Sequence, residues 1–336
     1  MREILDILCS GKNLSRQESA ALFARIVRGE LSQLEICAVL VALKSKGETP
    51  EEIAGAAEAL VTSAVPVNTG DLSVADTCGT GGDGAGTVNI STAAALVAAE
   101  AGLAIAKHGN RCVSSTCGSA DVLEQCGVQI EGGPEVASRT LKEVGICFLF
   151  APQYHTGMRH AMPVRRALGV RTIFNLLGPL ANPARPRWQI VGVYDPSLCV
   201  PLARTLGLLG CESALVVHGS GIDEIAPHGP TQAALLRVGE VEELVIEPEH
   251  AGLERIRIDE IRGGGAEENA QWLFTVLAGR GSRAHTQAVA LNAGALLWIA
   301  DKAPNFKAGV VQADEIIHSG RAAERLRRFA ECSRDA

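Results

Sequence analysis

The sequence predicts an α/β protein: a small N-terminal all-α domain, then a larger α/β domain whose mostly parallel central sheet is flanked by helices. Three observations predict it. Residues 1–66 show capping boxes and helical apolar spacing with no strand pattern. From about Val67 short apolar runs alternate with helical stretches, the pattern of a parallel sheet covered on both faces. The turns after those runs carry glycine or charge, and an open parallel sheet gathers its ligands at the C-terminal ends of its strands.

In chain order, three capping boxes punctuate the helical part: Ser15 with Glu18, Ser32 with Glu35, and Thr49 with Glu52, the last followed by Pro50 at the first helical position. Apolar residues recur at helical spacing as Leu22, Phe23, Ile26, then Leu34, Cys37, Ala38, Val41, then Ile53, Ala56, Ala57, Leu60. Helices this short need a partner surface, so a homodimer through this domain, or a returning segment, is expected to cover them. Strands are predicted at Val74 to Asp76, Leu103 to Ala106, Cys147 to Phe150, Gln189 to Tyr194 and Ala214 to His218. Helices are predicted between them at Ala93 to Ala101, Ala120 to Gln125, Pro134 to Val144 and Val200 to Leu209.

Composition narrows the function. The chain has 336 residues, 47% hydrophobic and 21% charged, with a formal net charge of −7. That excess of acid argues against a nucleic-acid partner. Ten cysteines without a Cys-x-x-Cys pair suit a reducing cytoplasm and argue against zinc. The first residues lack a signal peptide's apolar core, and no apolar run is long enough to span a bilayer, so a cytoplasmic protein with no membrane partner is expected.

The most informative stretch is Cys78-Gly79-Thr80-Gly81-Gly82-Asp83-Gly84-Ala85-Gly86-Thr87-Val88-Asn89-Ile90-Ser91-Thr92. Five glycines within Gly79 to Gly86 exclude a regular element, and they let backbone N–H groups approach a ligand ahead of a helix starting after Ser91. Gly79-x-Gly81-x-x-Gly84 matches the dinucleotide fingerprint, but the next strand ends in Lys107-His108-Gly109-Asn110-Arg111, which is basic where a ribose diol needs an acid. Two such loops favour phosphate or diphosphate. A third loop, Gly219-Ser220-Gly221-Ile222-Asp223-Glu224, brings two carboxylates together after an apolar strand, a pattern that suits Mg²⁺ or a solvated acidic turn.

Gly79 to Asp83, Asn89 to Thr92, Lys107 to Ser115 and Gly118-Ser119-Ala120-Asp121-Val122-Leu123-Glu124 together resemble the anthranilate phosphoribosyltransferases of tryptophan biosynthesis, and the likeness runs through nearly the whole chain. The resemblance implies Mg²⁺-dependent transfer of a phosphoribosyl group from 5-phosphoribosyl 1-diphosphate to the amine of anthranilate. It implies donor contacts from Gly79, Gly82, Asp83, Thr87, Asn89, Ile90, Ser91, Thr92, Lys107, His108, Gly109, Asn110, Arg111, Ser114, Ser115 and Ser119. Gly79, Asn110 and Arg165 would receive anthranilate, and Ser91, Asp223 and Glu224 would hold the metal. Arg165 suits an aromatic carboxylate because its fork can form two parallel hydrogen bonds. No nucleophile or general base is required, since the substrate amine attacks, and neither His108 nor His155 is given a proton-transfer role. Residues 163–186 would cross back to complete the helical domain, leaving 67–336 as the donor-binding domain.

The sequence departs from the family in His155-Thr156-Gly157-Met158, where a proline is usual after histidine; the added glycine is expected to loosen this loop and to leave the acceptor's identity more open than the donor's. Ser115 and Ser119 read alternatively as caps of the following helix. Two other functions fit less well: a pyrimidine nucleoside phosphorylase-like enzyme, which needs no paired metal carboxylates, and a non-catalytic nucleotide- or nucleic-acid-binding paralogue.

Overall fold

The computed structural model describes residues 1–111 and 117–335. Its first layer is helical: α1 (Arg2–Cys9), α2 (Arg16–Val27), α3 (Gln33–Lys46) and α4 (Pro50–Thr62). All three predicted capping boxes form, each hydroxyl accepting the N–H three residues on while the glutamate accepts the cap's own N–H. Glu52 does more than cap. Fully buried, it pairs with Lys46 Nζ at 2.8 Å and also accepts the Leu14 N–H at 2.9 Å, so its charge has several partners.

Strand and helix then alternate: β1 (Val74–Gly79), α5 (Ile90–Glu100), β2 (Ala104–Gly109), α6 (Ser119–Gln125), α7 (Gly133–Val144), β3 (Ile146–Phe150), α8 (Ala151–Tyr154), α9 (Met162–Leu168), α10 (Phe174–Leu180), β4 (Trp188–Gly192), α11 (Cys199–Leu208) and β5 (Ser213–Gly219). A hairpin, β6 (Thr231–Arg237) and β7 (Glu240–Ile246), precedes four helices: α12 (Ala266–Leu277), α13 (Arg283–Ile299), α14 (Phe306–Ser319) and α15 (Arg321–Arg334). The sheet runs β3-β2-β1-β4-β5-β6-β7, parallel through β5 and antiparallel beyond. The five predicted strands are all present. The hairpin was missed, because Gln232-Ala233-Ala234-Leu235-Leu236-Arg237 reads equally as helix and β7 exposes glutamates on an edge.

Strand order reverses between β1 and β4, whose ends meet at Gly79 opposite Gly192. A crevice outside the strand ends is expected at that switch. On one sheet face the alanine-rich α5 is buried against α13. On the other, Val191, Val216, Leu202 and Leu206 share one continuous core with Leu22, Phe23, Ile26 and Leu60 of the helical layer. Val164, Phe174, Leu177 and Leu180 of the returning segment lie in this same core, and Phe174 meets Phe23 edge-to-face at 5.7 Å.

Candidate functional site

Four of the five glycines in the first loop, Gly81, Gly82, Gly84 and Gly86, have φ between 63° and 77°, which side chains rarely adopt. The fifth, Gly79, is required by a close approach: a Cβ there would collide with the Asp223 carboxylate. Asp223 comes to this place because Ser220 and Gly221, with φ of 49° and 100°, make a tight turn closed by hydrogen bonds between Gly219 and Ile222. The two loops then interlock. Gly81 N–H donates to Asp223 Oδ2 at 2.8 Å, Asp223 N–H donates to Asp83 Oδ2 at 3.1 Å, and Ser91 N–H donates to Glu224 Oε1 at 3.1 Å.

Lys107 joins this cluster from β2. It is buried, and its Nζ donates to Thr77 O at 2.6 Å, leaving two ammonium protons without a partner among the described residues. Asp223 and Glu224 are both held well above the usual carboxylate range, first by burial, then by a neighbouring carboxylate: Asp83 for Asp223, and Asp223 for Glu224. No ion pair reaches either among the described residues. Three carboxylates crowd here, and the Gly81, Asp223 and Ser91 N–H groups that meet them compensate part of their charge.

The comparisons agree with this geometry. Residues 2–64 match the helical bundle domain of a glycosyl transferase family, and residues 71–323 match the a/b domain of that family. Anthranilate phosphoribosyltransferase from Sorangium cellulosum (strain So ce56) is 59% identical over 335 residues, spanning 100% of this chain and 96% of that protein. The chain belongs to the anthranilate phosphoribosyltransferase family. The crystal structure of the Thermus thermophilus family member matches with a TM-score of 0.94 at 42% identity, covering 99% of both chains. A Saccharomyces cerevisiae member in complex with PRPP and Mg matches with a TM-score of 0.88 at 28% identity, covering 98% of this chain and 97% of that one.

Against the family's expected site, the structure brings Gly79, Gly82, Asp83, Ser91, Lys107, Asp223 and Glu224 together. The helix begins at Ile90, not after Ser91, so Ser91 and Thr92 belong to its first turn. Ile90 is buried and its N–H donates to Val88 O, while Thr92 is buried with a hydroxyl that has no hydrogen-bond partner among the described residues. Thr87 pairs with Arg262 in a short antiparallel bridge. Gly109 ends β2, and Asn110 follows it beside Ser119, whose hydroxyl donates to Asn110 O at 3.5 Å; Gly118, not Ser119, is the helix cap.

Two residues point elsewhere. The His108 ring, one position along β2 from Lys107, packs edge-to-face on His155 at 5.2 Å and meets Gly178 O at 3.1 Å. Alternation along the strand sends these two neighbours to opposite faces of the sheet. Arg111 is held by Glu124 at 2.6 Å and Asp121 at 3.3 Å. Ser114 and Ser115 lie outside the described residues. Arg165 is half-buried over the Phe174 ring at 5.4 Å, with no carboxylate partner among the described residues. Gly157 does not loosen its loop: it packs so closely on Val27 that a Cβ would overlap the backbone there.

Sequence reasoning missed Arg171 and Asn269. Arg171 donates to Gly82 O at 2.6 Å and stacks 4.0 Å above the Tyr194 ring, tying the returning segment to the glycine loop. Its place beyond α9, on a polar turn, gave no signal of that contact.

Proposed function

We propose that this protein transfers the phosphoribosyl group of 5-phosphoribosyl 1-diphosphate to the amine of anthranilate, releasing diphosphate in tryptophan biosynthesis. The observation that carries this reading is the meeting of Gly81 with Asp223 and of Ser91 with Glu224, which brings the glycine loop, the acidic doublet and Lys107 together at the strand ends.

Gly79, Gly82, Asp83, Thr87 and Asn89, with the first turn of α5, would receive the donor's phosphates through backbone N–H groups and hydroxyls. The buried ammonium of Lys107 would face the same anion, where low local polarity strengthens its attraction. Asp223, Glu224 and Ser91 offer hard oxygen ligands suited to Mg²⁺, and burial of the two carboxylates favours a cation between them. When bound, that ion would neutralise charge building on the departing diphosphate. Arg165, desolvated and without an acid of its own among the described residues, would orient anthranilate by its carboxylate so that the amine faces the ribose. The chain then acts by positioning and by fixed donors, with no covalent intermediate on a side chain.

The same reading has the protein act in the cytoplasm as a homodimer through the helical domain. Leu34, Cys37, Ala38 and Val41 share one face of α3, where Leu34 is 83% and Val41 47% exposed. Among the described residues no helix is long and apolar enough to cross a membrane.

The test is direct. Anthranilate fluorescence falls with time when protein, Mg²⁺ and 5-phosphoribosyl 1-diphosphate are mixed, and omission of any one component abolishes the fall. A constant signal at high protein concentration rejects the assignment.

A further inference from the structure

The segment 261–265 lies along the second half of the glycine loop. Ile261 O accepts the Val88 N–H at 3.1 Å, and Gly263 N–H donates to Gly86 O at 2.8 Å. Just beyond it, in the first turn of α12, stands Asn269, which is 1% exposed and makes no contact with solvent that would explain an amide there. Its Oδ1 accepts the Gly264 N–H at 2.8 Å, and its Nδ2 donates to Asn89 Oδ1 at 3.0 Å. Asn89 in turn donates through Nδ2 to Cys117 O at 3.1 Å. Two amides, Asn269 buried and Asn89 half-buried, thus run in series from the covering segment, across the start of α5, to the chain entering α6.

We propose that Asn269 is a positioning residue for the donor site, fixing the Asn89 side chain and, through it, the spacing between the glycine loop, the covering segment and the entrance to α6. The inference rests on the donor reading above, because Asn89 and the first turn of α5 belong to that site. An amide is needed at 269 because one side chain must accept from Gly264 and donate to Asn89 at once. A carboxylate can do only the first. A buried amide left without its partner loses the orientation that its hydrogen bond fixed, and the neighbouring backbone shifts with it.

The experiment measures donor affinity by calorimetry, titrating the full-length protein with 5-phosphoribosyl 1-diphosphate in the presence of Mg²⁺. The proteins compared are the unaltered protein, Asn269→Asp, Asn269→Ser, Asn89→Ala and the Asn89→Ala/Asn269→Asp double variant. Asn269→Asp keeps the size of the side chain and the acceptor for Gly264 while removing the N–H that reaches Asn89. Asn269→Ser, neutral and smaller, serves if the buried acid prevents folding. The expected result is a donor Kd weakened about tenfold in either variant, with the KM for anthranilate at saturating donor unchanged. In the double variant the donor Kd matches that of Asn89→Ala alone, since both changes break the same link. An unchanged Kd in the folded variants, or losses that simply multiply in the double variant, overturns the proposal. Absence of donor binding by the unaltered protein would instead reject the function proposed above, which separates the two failures.

Discussion

His108 and Arg165 show how differently burial bears on two basic side chains. Burial, then the neighbouring His155, lowers the His108 pKa to about 3, so the ring is neutral in the fold. Unfolded, it titrates near 6.5. Its contribution is therefore complete above that value and is lost as pH falls from 6.5 toward 3. At pH 5 the loss amounts to about 2 kcal/mol. Asp76 works the other way: burial raises it to about 6, so the folded state gains from its protonation as pH falls through 6. Comparing the unaltered protein with His108→Gln leaves Asp76 common to both. Urea midpoints at pH 7 and pH 5 will show the unaltered protein losing more stability between them than the variant. Arg165 keeps its charge and meets no acid among the described residues, which in the proposed reading leaves it for the carboxylate of anthranilate. Arg165→Ala should raise the KM for anthranilate about 10- to 100-fold, the scale of lost hydrogen bonds between charged groups, while leaving donor affinity within about twofold. Steady-state kinetics with each substrate varied in turn will check the split.

Among the strands, the β6–β7 hairpin is the part that the sequence hid, and its turn explains why. Arg237 pairs with Glu240, which leaves a two-residue loop of Val238 and Gly239 with φ of 53° and 81°. Such loops favour Asn-Gly, because a β-branched residue strains in the left-handed region. Val238 is also 87% exposed, so no packing compensates. Val238→Asn should therefore stabilise the protein by about 1 kcal/mol, seen as a raised thermal midpoint with unchanged activity. The helix starts tell the opposite story: Ser15, Ser32 and Thr49 cap as read because a capping box is a contact within one turn of chain. The glycine loop lies between these cases. Its need for left-handed backbone was legible, but the carboxylate that fills the space beside Gly79 lies 144 positions away in the chain.

For the molecule as a whole, the continuous core joining the helical layer to one sheet face leaves Leu34 and Val41 exposed on one face of α3. If that face pairs two copies, Leu34→Arg places a charge in the interface at a cost that a contact of ordinary size cannot bear. Sedimentation of the unaltered protein should give twice the chain mass and that of the variant the single mass, with helix content preserved. A single mass for the unaltered protein at micromolar concentration would rule out pairing through α3.

The sequence by itself determined what depends on neighbours along the chain: the caps, the five parallel strands, the glycine loop and the acidic turn, all set by periodicity and backbone freedom within a few residues. Its resemblance to a family named the donor, the acceptor and the residues around them. Only the tertiary structure decided which of these meet. It turned His108 away and Lys107 inward on adjacent positions of one strand, tied Arg111 to Glu124, and brought Arg171 and Asn269 to the loop from elements that carried no sign of it. The physical reason is that a hydrogen bond or a buried charge acts over a few ångströms of space, whatever length of chain separates its partners.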